Sequence, residues 1–169
     1  MTNPCAAYLQ AADLIAGADA LVIAAGAGIG VDSGLPDFRG NAGFWSAYPA
    51  LAKSQINFVD IANPRAFHQT PSLAWGFYGH RLALYRKTVP HAGFEILRKW
   101  VDRSFLGSCV FTSNVDGQFQ KAGFDPEHVH ECHGSIHHLQ CTNECGSGVW
   151  SAAEFEPEVD EEACRLLNA

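Results

Sequence analysis

Apolar residues follow two different periods along the chain. Unbroken apolar runs at 21–25 and 109–112 are typical of strands buried in a parallel sheet, and the alternating run 128–132 predicts a third, shorter strand. Helical spacing extends over 4–16 and 72–86, where apolar positions recur every three or four residues. Strands that alternate with helices in this way predict an α/β fold with a parallel sheet.

Residues 41–70 interrupt both periods. Pro49 and Pro64 break any helical pattern, so the sequence predicts an irregular backbone here. A segment of this length is more typical of a functional lid than of a plain connection. Its aromatic residues Phe44 and Trp45 would either close over a ligand or anchor the segment in the core.

A glycine-rich segment, residues 26–34, follows the first predicted strand. Glycines let backbone amides approach a ligand, and a helix that starts after such a loop favours an anion such as phosphate. Strand, glycine loop and helix start form the opening of a dinucleotide-binding unit. In a G-x-G-x-x-G pattern starting at Gly26, however, the third glycine would fall at Val31. An ordinary nicotinamide dehydrogenase also needs an acidic residue at the end of its second strand to bind the ribose. Here the next clear strand begins only near Cys109 and ends in Ser113 and Asn114, which argues against that class of enzyme.

Polar residues follow each of the three predicted strands. After the glycine segment come residues 113–116 and then residues 133–135. Ligands of parallel sheets bind at the carboxyl ends of the strands, so we expect these clusters to converge on one site. His133 is then a candidate general base, since histidine titrates near neutral pH. Taken by themselves, Asn114 and Asp116 fit ordinary turn and helix-cap chemistry better than a binding role.

Composition restricts the class of partner. The formal net charge of −7 argues against a dedicated nucleic-acid-binding protein, which would show a basic surface. No apolar run is long enough to cross a membrane, and the first residues do not resemble a signal peptide. Six cysteines without a secretion signal indicate a reduced, cytoplasmic setting. We expect Cys109 to be a small core residue and the acidic segment 154–162 to be solvated.

Four segments, taken in order, resemble motifs of the sirtuin family. Residues 26–39 are similar to the signature G-A-G-x-S-x-x-S-G-I-P-D-F-R, and residues 112–116 resemble T-Q-N-I-D. Residues 133–135 resemble the family's H-G-S, and Cys141 with Cys145 resembles the first half of its zinc site. The first motif is long and specific, and the resemblance extends over nearly the whole chain.

The resemblance implies a fold of one truncated catalytic domain over residues 1–169. Residues 1–40 and 105–136 would form an incomplete Rossmann-like parallel sheet, and residues 41–104 the cofactor loop with a small lobe of helices. Residues 137–169 would be the start of a zinc-binding module. The sequence leaves the oligomeric state open.

The activity implied for the parent protein is NAD-dependent deacylation of lysine in acyl-lysine proteins or peptides. The 169 residues would lack part of the adenine and peptide sites, so the sequence leaves open whether this chain turns over by itself. The acyl oxygen attacks the ribose carbon that carries nicotinamide, which leaves, and the acyl group passes to give O-acyl-ADP-ribose. His133 is the implied catalytic base. The residues implied to bind NAD are Gly26, Ala27, Gly28, Ile29, Asp37, Phe38, Arg39, Trp45, Ser113, Asn114 and Asp116.

Tyr78 and Arg81 lie one turn apart on the predicted helix 72–86. They resemble the pair with which sirtuins of the desuccinylase type bind acidic acyl groups, so succinyl or malonyl substrates are implied. A guanidinium and a phenol can together hold a carboxylate. The alternative is a core tyrosine beside a solvated arginine.

The implied structural zinc site begins with Cys141 and Cys145, whose C-x3-C spacing suits one arm of such a site. No second cysteine pair follows in the chain, and Cys164 is single. His137 or His138 would be improvised ligands. We therefore expect an incomplete zinc site, and two buried thiols are the alternative.

The sequence departs from the family motifs at Gly30, where serine is usual, and at Ser113, where glutamine is usual. Both positions are expected to face the cofactor. Two other functions remain open. One is NAD glycohydrolysis or ADP-ribosyl transfer, with water or a side chain in place of the acyl oxygen. The other is NAD binding without catalysis.

Overall fold

A parallel three-stranded sheet forms the centre of the fold. In the computed structural model its strands are β1 (Leu21–Ala25), β2 (Ser108–Thr112) and β3 (Val129–Glu131), in the order β1-β2-β3. All neighbours are parallel, so the carboxyl ends of the strands lie at one edge. The α/β class with a parallel sheet is confirmed. The structure describes residues 4–37, 40–143 and 145–168.

Helices occupy most of the remaining chain up to β3. The α-helices are α1 (Pro4–Ala16), α2 (Gly40–Ala47), α3 (Pro49–Lys53), α4 (Phe58–Ile61), α5 (Pro64–Gln69), α6 (Pro71–Lys87), α7 (Ala92–Val101) and α8 (Gln118–Lys121). Short 3-10 helices span Ala27–Ser33 and Pro126–His128. We call α2–α6 the helical lobe. Among the described residues, no helix has the length and apolar character that a membrane span requires.

The prediction of an irregular backbone over residues 41–70 is wrong, because four short helices, α2–α5, fill this region. Pro49 and Pro64 are the first residues of α3 and α5, where a missing N–H costs nothing. The Asn63 side chain accepts the backbone N–H two residues further on, and Asn57 likewise precedes α4. Proline and asparagine therefore begin helices here rather than interrupt them.

Two apolar clusters form the core. The helical lobe has its own cluster around Phe44 and Phe77, both fully buried. The second cluster covers one face of the sheet, where Phe94 of α7 and Phe119 of α8 pack with Val110 of β2. Two small cores thus flank the carboxyl edge of the sheet.

The opposite face of the sheet is exposed. Alternate strand residues point to opposite faces, so Val110 is buried while its neighbours Cys109 and Phe111 are not. Val22 of β1 is 77% exposed and Phe111 is 49% exposed. The expectation that Cys109 is a core residue is therefore wrong, because it points to the uncovered face.

The last part of the chain folds into two antiparallel strand pairs. β4 (His138–Gln140) pairs with β5 (Val149–Ser151), and β6 (Val159–Asp160) pairs with β7 (Arg165–Leu166). The β6–β7 pair lies against α6, and Cys164 is 2% exposed within the core of the helical lobe. The expectation of a solvated segment is correct for the exposed glutamates but wrong for the backbone, which packs on α6.

Candidate functional site

A cleft of about 890 Å³ lies where the helical lobe faces the carboxyl edge of the sheet. All three polar clusters predicted from the sequence contribute to its wall. Sequence-predicted residues that line the cleft are Ala27, Asp37, Tyr78, Arg81, Ser113, Asn114, Asp116, His133 and Cys141. The side chains of Phe67, Trp75 and Phe155 also line it, and the sequence did not point to them. Phe38 and Arg39 lie outside the described residues.

The glycine segment forms a turn of 3-10 helix directly after β1. Gly34 ends this helix with φ of 86°, a left-handed conformation that favours glycine. Gly30 is buried, and a Cβ there would lie 3.1 Å from Cδ1 of Leu35. Leu35 therefore packs into space that the usual serine of the family motif would need. Gly26, Gly28 and Ile29 belong to this segment, although their atoms do not line the cleft.

Asn114 connects the end of β2 to the glycine segment. Its side-chain amide donates to the carbonyl of Gly26 at 3.0 Å. Its backbone N–H donates to the Thr112 hydroxyl at 3.1 Å, and this hydroxyl donates in turn to the carbonyl of Ala25 at 3.1 Å. Asn114 thereby positions the glycine segment, while its side chain still lines the cleft.

Asp116 is buried at the base of the cleft. Its Oδ1 accepts the backbone N–H of Gln118 at 3.0 Å, so the predicted turn chemistry is present just before α8, whose N-cap residue is Gly117. Burial raises the pKa of this carboxyl, although the Gln118 N–H and the Arg81 charge oppose the shift. His137, one of the two improvised zinc ligands considered from the sequence, has Nε2 3.0 Å from the Asp116 carbonyl oxygen.

Arg81 is a buried cation on the wall of the cleft. Its side chain is held among aromatic rings, with the guanidinium carbon 5.2 Å from the ring centre of Phe77 and 5.9 Å from that of Tyr78. Nε donates to the Tyr85 hydroxyl at 2.9 Å. Arg81 is 7% exposed, so the alternative of a solvated arginine is wrong. Burial raises the pKa of the Tyr78 phenol, so this hydroxyl stays protonated and can donate a hydrogen bond.

His133 lies two residues beyond the end of β3 and lines the cleft. The Cys132 N–H donates to the Thr112 carbonyl at 2.9 Å, which continues the β2–β3 pairing up to this histidine. The Ile136 N–H donates to the Val115 carbonyl at 3.0 Å, which returns the turn to the polar end of β2. The exposed His133 side chain is therefore presented to the cleft beside residues 113–116.

Trp45 does not line the cleft. Its indole N–H donates to the carbonyl of Ile56 at 2.8 Å, and its ring packs against the core of the helical lobe. Phe44 is fully buried in the same core. This placement favours the anchoring interpretation of the two aromatic residues over that of a lid.

The predicted zinc ligands Cys141 and Cys145 lie close to each other. A hydrogen bond from Cys141, together with Ser147, lowers the pKa of the Cys145 thiol to about 7. A closed structural zinc site needs four ligands. In residues 4–37, 40–143 and 145–168, no three or more His, Cys, Asp or Glu side chains cluster as a metal site would require. Cys164 is buried in the helical lobe, so the described residues do not fit a closed zinc site.

Together, a parallel sheet, a glycine segment after β1 and a polar cleft at the strand ends define a Rossmann-like α/β fold. A family model described as the Sir2 family matches residues 26–166. The chain belongs to the Sir2 family.

Several curated relatives are similar over most of this chain. It is 34% identical over 139 residues to an NAD-dependent protein deacylase of Aquifex aeolicus, a match that covers 82% of this chain and 53% of the relative. It is 32% identical over 149 residues to the mitochondrial NAD-dependent protein deacylase sirtuin-5 of Danio rerio, covering 86% of this chain and 45% of the relative. The chain thus spans about half the length of these relatives.

Solved structures of the family share the fold. A complex of a Sir2 homologue with NAD superimposes with a TM-score of 0.69 at 27% identity, covering 94% of this chain and 58% of the other. A mutant Sir2 homologue in complex with 2'-O-acetyl ADP ribose gives a TM-score of 0.70 at 29% identity, covering 89% of this chain and 55% of the other.

Proposed function

We propose that this chain carries the NAD-binding and catalytic part of an NAD-dependent protein-lysine deacylase. The observation that carries the proposal is the convergence of Ala27, residues 113–116 and His133 on one cleft in a Sir2-family chain. Its relatives are named NAD-dependent protein deacylases, and matched structures hold NAD or an acetylated ADP-ribose. The substrates would be acyl-lysine proteins or peptides.

Each cleft residue has a role that its position supports. When bound, NAD supplies the ribose carbon to which the acyl oxygen adds as nicotinamide leaves. Ala27 brings the glycine segment to the wall of the cleft, and backbone amides of the segment would bind the pyrophosphate there, since it carries little side-chain bulk. Asn114 and Asp116 would orient the ribose and the nicotinamide amide. His133 would take the proton of a ribose hydroxyl, a task suited to an exposed imidazole.

The acyl group that this site favours would be acidic. Arg81 brings a buried positive charge to the cleft wall, and Tyr78 presents a phenol one turn away. A succinyl or malonyl carboxylate would find a charge-assisted pairing there that an acetyl group cannot make. Residues 141 and 145 are the remaining predicted ligands, and we derive no step through zinc because their surroundings do not fit a closed site.

The direct test incubates the chain with NAD and either acetyl- or succinyl-lysine peptide. Nicotinamide and deacylated peptide are both quantified. The proposal expects both products in equal amounts and only when the peptide is present. Nicotinamide release without peptide would instead indicate NAD glycohydrolysis, and NAD binding without release would indicate a binding protein. Either outcome contradicts the proposal.

His133→Ala tests the assignment of the base. We expect turnover to fall at least about 100-fold, the usual contribution of general base catalysis. His128→Ala is the matched control, because His128 is exposed, pairs with Asp125 and does not line the cleft. Full turnover in His133→Ala would show that another group takes the proton.

A further inference from the structure

His91 connects the glycine segment to helix α7. Its backbone N–H donates to Oγ of Ser33 at 2.9 Å, and its ring Nε2 lies 2.9 Å from the carbonyl oxygen of Ile29. The ring Nδ1 accepts the backbone N–H of Gly93 at 3.0 Å. One residue thus caps α7 and contacts the glycine segment twice.

These partners determine which ring nitrogen carries the proton. A backbone N–H can only donate, so the Nδ1 that faces Gly93 must be the unprotonated acceptor. Nε2 then carries the proton and donates it to the carbonyl of Ile29. Both nitrogens of a neutral imidazole are used, and the ring cannot turn without losing both bonds.

The ring is also held from the side. It packs edge-to-face on Phe94, with centroids 5.1 Å apart, and Phe94 is fully buried in the cluster that covers the sheet. His91 therefore connects the apolar cluster on the sheet, through Phe94, to the glycine segment, through the carbonyl of Ile29. Ile29 itself packs against the same cluster.

The bond to Ile29 restricts the backbone of the glycine segment. The carbonyl of Ile29 and the N–H of Gly30 belong to one planar peptide unit, so a fixed carbonyl fixes the plane. Glycine has more backbone freedom than any other residue, and ordering such backbone on ligand binding lowers the affinity. A hydrogen bond that holds the Ile29–Gly30 peptide unit before the ligand binds would reduce this loss of affinity.

We propose that His91 is a positioning residue that holds the glycine segment in its ligand-ready conformation through Nε2–H and the carbonyl of Ile29. The proposal rests on the proposed binding of NAD by this segment. The sequence signal was weak, because His91 stands between Pro90 and α7 and resembles a plain helix cap.

The first test is independent of any ligand. A long-range ¹H–¹⁵N NMR spectrum reports the tautomer of each histidine, and we expect His91 to be the Nε2–H form. Hydrogen exchange of amides 26–34 should accelerate about tenfold in His91→Asn, while exchange in β2 stays unchanged. Asparagine retains an oxygen that can accept the Gly93 N–H but cannot reach Ile29. An Nδ1–H tautomer, or unchanged exchange, overturns the proposal.

The second test uses turnover. His91→Asn should raise KM for NAD about tenfold, equivalent to about 1.4 kcal/mol, with kcat and the melting temperature near those of the unchanged chain. Ser33→Ala, which removes the companion bond, should raise KM in the same direction, and His128→Asn should leave it unchanged. A fall in kcat at constant KM overturns the positioning role. Absence of NAD binding by the unchanged chain would refute the proposed function. The NMR and exchange results would still show whether His91 holds the glycine segment through the carbonyl of Ile29.

Discussion

At the scale of single residues, neighbours decide between roles that the sequence left open. Arg81 could have been a solvated cation, but Tyr78, Phe77 and Tyr85 enclose it. Asp116 both forms the turn before α8 and lines the cleft, so its turn chemistry does not remove it from the candidate site. The one-turn spacing of Tyr78 and Arg81 was visible in the sequence, whereas the burial of the charge was not, because it depends on residues distant in the chain.

Arg81→Met should remove the preference for acidic acyl groups. We expect kcat/KM for a succinyl-lysine peptide to fall about tenfold to hundredfold, the range for one lost charge-assisted hydrogen bond. Activity on acetyl-lysine peptide should change little. Arg81→Lys is the matched variant, because it retains the charge but loses the planar fork, and it should give an intermediate value. An unchanged ratio of succinyl to acetyl turnover would exclude Arg81 from acyl recognition.

Asp116→Asn should stabilise the chain at neutral pH. Burial raises the pKa of the Asp116 carboxyl above its ordinary 3.8, so ionisation is harder in the folded than in the unfolded state. Its ionised form therefore destabilises the fold as pH rises above the unfolded pKa, and this cost is absent in acid. Asparagine retains an oxygen for the Gln118 N–H.

Circular dichroism measures the stability gained by Asp116→Asn as the melting temperature at a series of pH values. Asp116→Asn should melt higher than the unchanged chain at pH 7, and the two should converge near pH 3. Asp125→Asn is the control, since Asp125 accepts a similar backbone bond but is exposed. A lower melting temperature for Asp116→Asn at pH 7 would contradict the expected sign.

At the scale of elements, α6 organises the helical lobe. Gly76 and Gly79 lie one turn apart on the same helix, and both touch the β6–β7 segment. A Cβ at Gly76 would collide with the carbonyl of Cys164, and one at Gly79 would lie 2.8 Å from Pro157. The sequence predicted α6 itself well, because its apolar period is long. The sequence did not show that Gly76 and Gly79 let residues 157–165 pack closely against α6.

Gly76→Ala should destabilise the chain, although alanine favours a helix by about 1 kcal/mol over glycine. The added methyl group would push the backbone of α6 away from that of Cys164, and we expect this shift to lower the free energy of unfolding by about 1–3 kcal/mol. Urea unfolding followed by tryptophan fluorescence measures the change. Gly43→Ala in α2 is the control, because its Cβ would meet only ordinary contact at 3.6 Å, and it should be neutral or stabilising. Equal effects of the two substitutions would argue against close packing at Gly76.

At the scale of the whole molecule, the described residues cover the sheet on one face only. The uncovered face presents Val22 and Phe111, and the ring of Phe111 stacks on His130 of β3 at 5.3 Å. Contiguous exposed apolar surface of this kind favours association. The sequence could not show this, since a strand buried on both faces and a strand open on one differ only in what packs against them.

We expect the chain to self-associate through this face. Sedimentation velocity should show the mean mass rising with protein concentration. Phe111→Lys should lower the mean mass, because a lysine there keeps the face hydrated, while Val59→Lys on the exposed surface of α4 should not. A monomer at every concentration would contradict this expectation.

The sequence alone determined the strands, the long helices and the order of the polar clusters. These features depend on local periodicity and on topology, since parallel strands bring their carboxyl ends to one edge. The glycine segment and residues 133–135 were assigned to one site for that reason, and the cleft lies there.

Only the tertiary structure decided what each side chain contacts. It placed Trp45 in the core and Cys164 away from Cys141, and it showed His91 bonded to the carbonyl of Ile29. These outcomes depend on contacts between residues far apart in the chain, which no local pattern records. The sequence thus specified where the site would form, and packing between the helical lobe and the sheet specified how its residues are held.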